Sequence, residues 1–162
     1  MNIRRMRGVY VVEFAIIGLL LFVVLFGVLE MGRLYFTVNT LNEVVRRGAR
    51  LAAVCNIDEQ VILERAVFDM EGSDGSSELV GGLATSQVTL TYLDENGAQV
   101  GNPADETGTD GFRAIRYVHL EVQGFTFDLM IPTLGQTITL PAFRATLPRE
   151  SLGRSVEGDT EC

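Results

Sequence analysis

The stretch Arg4-Arg5-Met6-Arg7-Gly8-Val9-Tyr10-Val11-Val12-Glu13-Phe14, followed by fifteen uncharged residues to Leu29, decides how this chain is built. Met1–Gly8 holds three arginines and no acid, and Val9–Leu29 is apolar except for Glu13. At about 1.5 Å per residue, a helix over those 21 residues covers about 31 Å, the hydrocarbon thickness of a bilayer. The arginines direct its start to the cytoplasm, which places everything after Leu29 on the far side.

Three readings of the segment compete. A secretory signal peptide has a shorter apolar run and a small-residue cleavage site, whereas this run ends Gly27-Val28-Leu29-Glu30-Met31-Gly32-Arg33. A plain single-span anchor fits the length but leaves the acid without a reason. A leader of the prepilin type, cut on the cytoplasmic side, needs basic residues, a small residue at the cut and an acid at the fifth mature position. Gly8, Val9 and Glu13 satisfy those requirements, with Phe14 next in line.

Glu13 is the most informative residue. A carboxylate within a membrane span costs about 2.5–3.5 kcal/mol on insertion scales and normally has a partner. Cleavage after Gly8 creates an amine on Val9, which a neighbouring subunit's Glu13 can meet in a helix bundle, fixing the stagger between helices. The alternative is that Glu13 lies near the membrane edge and reaches water unpaired.

Helical character continues past the span. Met31, Leu34, Val38, Leu41, Val45, Gly48 and Ala52 follow alternating spacings of three and four, an apolar seam, with Arg33, Asn39, Asn42, Glu43, Arg46, Arg47 and Arg50 opposite. The pattern predicts one helix over Val9–Val54. Gly48 and Ala52 are small enough for another element to approach closely, either the chain's own sheet or another subunit. Glu30 and Arg33 share a helix face at the outer boundary, as an ion pair or as two separate snorkelling groups.

Beyond residue 55 the pattern is that of a small domain. A second helix is expected from Asp58 to Met70, capped by Asn56 or Asp58. Strands are expected at Val88–Tyr92, at Ala98–Val100 after an Asp94–Gly97 turn, at Phe112–Gln123, at Gln136–Leu140 and at Phe143–Leu147. Glu71–Gly82 and Gly101–Gly111 read as loops, and Pro148–Cys162 as a polar surface tail. The fold class is α+β: a long N-terminal helix, first transmembrane and then amphipathic, packed on a small antiparallel sheet. The organisation is a basic leader at 1–8, a helix at 9–55 and an extracytoplasmic domain at 56–162.

Charge divides the same way. Residues 1–55 carry seven arginines against three acids, whereas residues 56–162 carry six against eighteen, within a chain of net charge −8. An acidic domain without a basic stripe argues against nucleic-acid binding. One histidine and two cysteines leave few parts for a metal or nucleophile site, and no phosphate loop, zinc spacing or nucleophile elbow occurs. Neither an enzyme nor a cofactor is expected.

The chain resembles the TadE-like proteins, minor pilin or pseudopilin components of the Flp/Tad (tight adherence) pilus, a branch of the type IV pilus machinery. The resemblance lies in Gly8 to Phe14, in Phe26-Gly27-Val28-Leu29-Glu30-Met31-Gly32-Arg33 and in Arg46-Arg47-Gly48-Ala49-Arg50-Leu51-Ala52-Ala53, about the first third of the chain. Where this branch usually has Tyr after the mature Glu, this chain has Phe14; where it often has an acid before Gly-Ala-Arg, this chain has Arg47. The resemblance implies cleavage after Gly8 by a prepilin peptidase. It also implies assembly with other pilins and pseudopilins, driven by an inner-membrane platform and a cytoplasmic ATPase. The protein would then be a single-pass inner-membrane component in contact with lipid, N-terminus cytoplasmic and C-terminal domain periplasmic. Its rival is an unprocessed membrane-anchored periplasmic binding or scaffolding protein.

Remaining candidates are few. Cys55 and Cys162 allow one intramolecular disulfide outside the cytoplasm; the alternative is a buried Cys55 and an idle thiol on the tail. Asp74, Asp105, Glu106 and Asp110 sit in glycine-containing loops but match no calcium-loop spacing. His119 stands mid-strand without a second ligand, a surface or packed histidine rather than a base.

Overall fold

In a computed structural model, residues 3–69, 74–106, 110–130, 137–155 and 158–159 are described, with side chains described for 8–69, 74–106, 110–130 and 137–154. Helix α1 runs unbroken from Ile3 to Val54. Its 52 residues make a rod of about 78 Å. No proline interrupts it, so every interior amide keeps its bond.

The rod has two surroundings. From Val9 to Leu29 the large apolar side chains are exposed. From Thr37 onward one face is buried: Leu41, Val44, Val45, Ala49, Ala52 and Ala53 belong to the hydrophobic core. The expected seam is thus correct in its C-terminal half, with Leu34 and Val38 half-buried, while Met31 is exposed. Thr37, Val44 and Ala49 widen the stripe beyond a coiled-coil seam because the partner is a sheet, which covers a broader face than one helix does.

Helix α2 (Glu59–Ala66) is capped by Asp58, whose Oδ1 accepts from the Val61 amide at 3.3 Å. It ends short of the expected Met70, which lies outside the described residues. Phe68 turns left-handed at φ 65°, and the Phe68 and Asp69 amides return to the Arg65 and Glu64 carbonyls. That pattern satisfies the last carbonyls of a helix and terminates it.

The main sheet has the order β1 (Val88–Leu93), β2 (Tyr117–Val122), β5 (Phe143–Pro148), all antiparallel. Val88, Leu90 and Tyr92 of β1, with Val118, Leu120 and Val122 of β2, face α1, the alternation expected of a sheet solvated on one side. The Asp94–Gly97 turn forms, with Asp94 N–H donating to Ala98 O at 2.9 Å, but its return reduces to a single bridge between Leu93 and Gln99 instead of a strand over Ala98–Val100. Strand β2 starts at Tyr117, not Phe112, because Gly111–Ala114 closes a turn first. The strand expected at Gln136–Leu140 forms as β4 (Thr137–Thr139), but it pairs outside the main sheet with a strand absent from the sequence reading, β3 (Thr126–Asp128), which packs Phe127 into the core beside α1.

The tail corrects the surface expectation. Leu152 is fully buried, and residues 150–153 close the end of α1. Glu150 and Leu152 amides donate to Ala53 O, each at 3.1 Å; the Gly153 amide and Ser151 Oγ donate to Val54 O at 2.6 and 2.9 Å. Helix carbonyls that would otherwise be orphaned are satisfied by a segment almost a hundred residues away. Two short tail strands, β6 (Arg154–Ser155) and β7 (Gly158–Asp159), pair after it.

Candidate functional site

The site is the N-terminal helix itself. An 18-residue window within Gly8–Val54 reaches a mean hydropathy of 2.8 with none of it buried. Exposed apolar surface on this scale is not tolerated in water and suits membrane anchoring. Gly8, Val9, Glu13 and Phe14 are all exposed on it. Glu13 has no ion-pair or hydrogen-bond partner among the described residues. One carboxylate therefore stands alone on an apolar rod.

The other end of the apolar run differs. Glu30 is buried, and its Oε1 accepts from Arg33 Nη1 at 2.8 Å and from the Met130 amide at 3.3 Å. Arg33 also lies over the Phe127 ring, 5.0 Å from its centroid. The pair exists here, and the β3 end of the sheet domain holds it. Burial on one side and a second donor give it more weight than an exposed i, i+3 pair.

Gly48 and Ala52 are buried within the chain. A Cβ at Gly48 would stand 2.7 Å from Ala66 Cβ and 2.9 Å from Leu120 Cδ2. Gly48 is where α2 and β2 close on α1, and Ala52 belongs to the same core. They serve the chain's own packing.

Residues 8–50 match the family described as TadE-like protein. The chain carries a TadE-like domain. The matched span holds the exposed apolar helix and the first turns of its buried half, leaving residues 51–162 outside the match. No curated protein matches the chain, and no solved structure matches it. The TadE-like helix packed on small antiparallel sheets is an α+β, pilin-like arrangement.

The remaining candidates are dispersed. Cys55 is buried and is not a free thiol; Cys162 lies outside the described residues. Asp74 Oδ1 accepts from the Ser76 amide, and Glu106 pairs with Arg154, so these acids serve turns and the tail. Among the described residues no group of three or more His, Cys, Asp or Glu converges on a metal-sized site. His119 contacts Thr146 Oγ1 at 2.7 Å and Glu121 at 3.7 Å on the solvated face of the sheet.

Sequence reading missed the tie from Met130 to Glu30. The only available signal was Glu30 itself, an acid at the end of an apolar run with a cation three residues on.

Proposed function

We propose that this TadE-like protein is a minor pilin or pseudopilin of a Tad-type pilus, cleaved after Gly8 by a prepilin peptidase and assembled through its N-terminal helix to prime or build an adhesive fibre. The observation that carries the reading is Glu13: an acid on the exposed apolar half of the helix, without a partner among the described residues. Burial of that carboxylate among other helices is unfavourable unless a cation meets it. Cleavage after Gly8 supplies one, the amine of Val9, and a neighbouring subunit presents it at the right depth when helices stagger by about one turn.

The reading makes the protein a substrate and building block with no catalytic role. Its partners are the prepilin peptidase, other pilins and pseudopilins, the inner-membrane platform and membrane lipid. Before assembly it sits in the bacterial inner membrane as a single span, N-terminus cytoplasmic, with residues 56–162 in the periplasm. Loss of the leader removes three arginines and takes the net charge from −8 to −11.

The intact mass of the protein extracted from membranes of the producing cell tests this. A chain beginning at Val9 is expected. A chain that keeps Met1 in cells making functional pili overturns the reading in favour of an unprocessed anchor with a periplasmic binding or scaffolding role.

A further inference from the structure

The apolar surface of this molecule does not end where the span ends. Beyond Leu29 the exposed large apolar side chains among the described residues are Met31, Tyr35, Phe36, Leu79, Met130, Ile138 and Tyr117. Tyr117 stands apart, paired with Pro148 where β5 runs toward the end of α1. The other six gather at one height. Phe36 and Leu79 line a groove of about 540 Å³ together with Arg33, Phe127 and Asp128. Met130 is tied through its amide to Glu30, and Ile138 stands opposite Phe127 across the β3–β4 pair.

That height is set by the helix. Glu30 is the first residue after the apolar run, and Phe36 lies seven residues past Leu29, which is about 10 Å along the axis. One interfacial layer of a bilayer is roughly 5–8 Å thick, so Glu30 to Arg33 lie within it and Tyr35 and Phe36 stand at its outer edge. A helix that crosses the hydrocarbon between Val9 and Leu29 therefore carries the Glu30–Met130 contact, and with it the base of the sheet domain, into the headgroup region. Met130 is 69% exposed and Leu79 is 52% exposed, values that make sense where water gives way to acyl chains.

We propose that the base of the sheet domain is a membrane-seating surface, in which Met130 and Leu79 join Met31, Tyr35 and Phe36 as an apolar collar embedded in the interface of a phospholipid bilayer. The proposal rests on the reading of α1 as membrane-inserted and goes beyond it by assigning a lipid contact to the sheet domain. Tyr35 has the amphipathic character favoured at that depth. Arg33, half-exposed above Phe127, can reach lipid phosphate. Glu30 already neutralises Arg33, and Asp128 faces the same groove and is exposed, so the base carries no net positive charge and the attraction is apolar rather than dependent on anionic lipid. The collar holds the domain upright on the membrane with the acidic Asp94–Gly97 turn away from it.

The chain contains no tryptophan, so single-tryptophan reporters test the idea directly. Full-length protein with Met130→Trp or Leu79→Trp is reconstituted in phosphatidylcholine vesicles, with and without brominated acyl chains. Phe22→Trp in the span and Glu95→Trp at the turn serve as controls. Brominated lipid is expected to lower the emission of the Met130→Trp and Leu79→Trp reporters to a level between those of the two controls, with Glu95→Trp unaffected and Phe22→Trp strongly quenched. Two reporters on separate loops keep the test decisive if one substitution perturbs folding.

If both collar reporters behave like Glu95→Trp while Phe22→Trp is quenched, the seating is wrong and the anchor stands. If Phe22→Trp also escapes quenching, the membrane-inserted helix itself is wrong. Quenching that appears only with anionic lipid and disappears at high salt overturns apolar seating in favour of a purely electrostatic contact.

Discussion

Glu13 and Glu30 show how one residue type acquires opposite roles from its surroundings. Glu30 has a cation, a backbone donor and partial burial within its own chain; Glu13 has none of these among the described residues. Glu13→Val is expected to leave removal of the leader intact while lowering surface pili, measured by N-terminal mass and by shear-released fibres from the same cells. Wild-type fibre yield from that variant would refute pairing. Tyr92 offers a second prediction at this scale. Its hydroxyl is buried without a hydrogen-bond partner among the described residues, and burial first, then the Glu59 charge, holds the phenol well above its ordinary value of 10.0. The folded state therefore keeps a proton that the unfolded chain loses, so stability is unaffected below about pH 10 and falls as pH rises beyond it. Tyr92→Phe should flatten that alkaline loss and leave neutral-pH stability unchanged or up to about 1 kcal/mol higher, read from denaturant unfolding of the detergent-solubilised protein. Asp94 acts at the opposite end of the scale. Amides of Ala98 and Asn96, each at 2.8 Å, hold its carboxyl below the usual range. Its contribution to the turn is present above the unfolded carboxyl's pKa and is lost as pH falls through the lower folded value.

The elements depend on close approach and on caps supplied from a distance. Gly48 lets α2 and β2 close on α1, because its missing Cβ occupies the space of Ala66 and Leu120. Gly48→Ala gains about 1 kcal/mol of helix propensity but inserts a methyl where two packed atoms stand. Overpacking of that kind costs about 1–3 kcal/mol, so a net loss is expected, visible as a lower midpoint in thermal unfolding. Unchanged or raised stability would show that Ala66 and Leu120 can yield. The end of α1 relies on Glu150–Gly153 for its carbonyl partners. Gly153 sits at φ 79° with Asn56 where a Cβ would go, so Gly153→Ala should release the strap and raise amide exchange at Leu152 and Gly153. Undisturbed exchange there would show that the strap tolerates a side chain.

At the scale of the molecule the two halves of α1 divide the labour between membrane and domain, and the chain's two ends meet different fates. The tail passes beside Cys55 on its way through Leu152 and Gly153, and we propose that Cys162 closes a disulfide with it. A loop of about 107 residues closed in this way contributes up to about 4–5 kcal/mol by restricting the unfolded chain. Cys162→Ser should therefore release one titratable thiol at Cys55 under denaturing conditions and lower stability by up to that amount. A wild-type protein that already reacts with two equivalents of thiol reagent when denatured without reductant would exclude the bridge.

Much of this was legible before folding. The span, the lone acid and the long helix follow from local rules: an uninterrupted apolar run of bilayer length, a charge inside it and no proline for 54 residues. Alternation in Val88–Leu93 and Tyr117–Val122 announced β1 and the central strand β2 in the same way. What escaped were features made by distant partners. Strand β3, the partner of the expected β4, has only three residues, too short for a periodicity signal. Leu152 is an isolated apolar residue in a mostly polar tail. Phe68 ends α2 in a conformation that glycine usually adopts, held there beneath Arg47, 4.7 Å from the ring.

By itself the sequence determined that this protein has an apolar helical rod with an acid near its start, because helix geometry and lipid solvation act on neighbouring residues alone. Only the tertiary structure decided that Gly48 and Ala52 belong to the domain's own core, that Glu30 is gripped by Met130, and that the tail seals the helix. Each of those outcomes depends on surfaces brought together from far apart in the chain, where shape and unsatisfied hydrogen-bonding groups choose the partner.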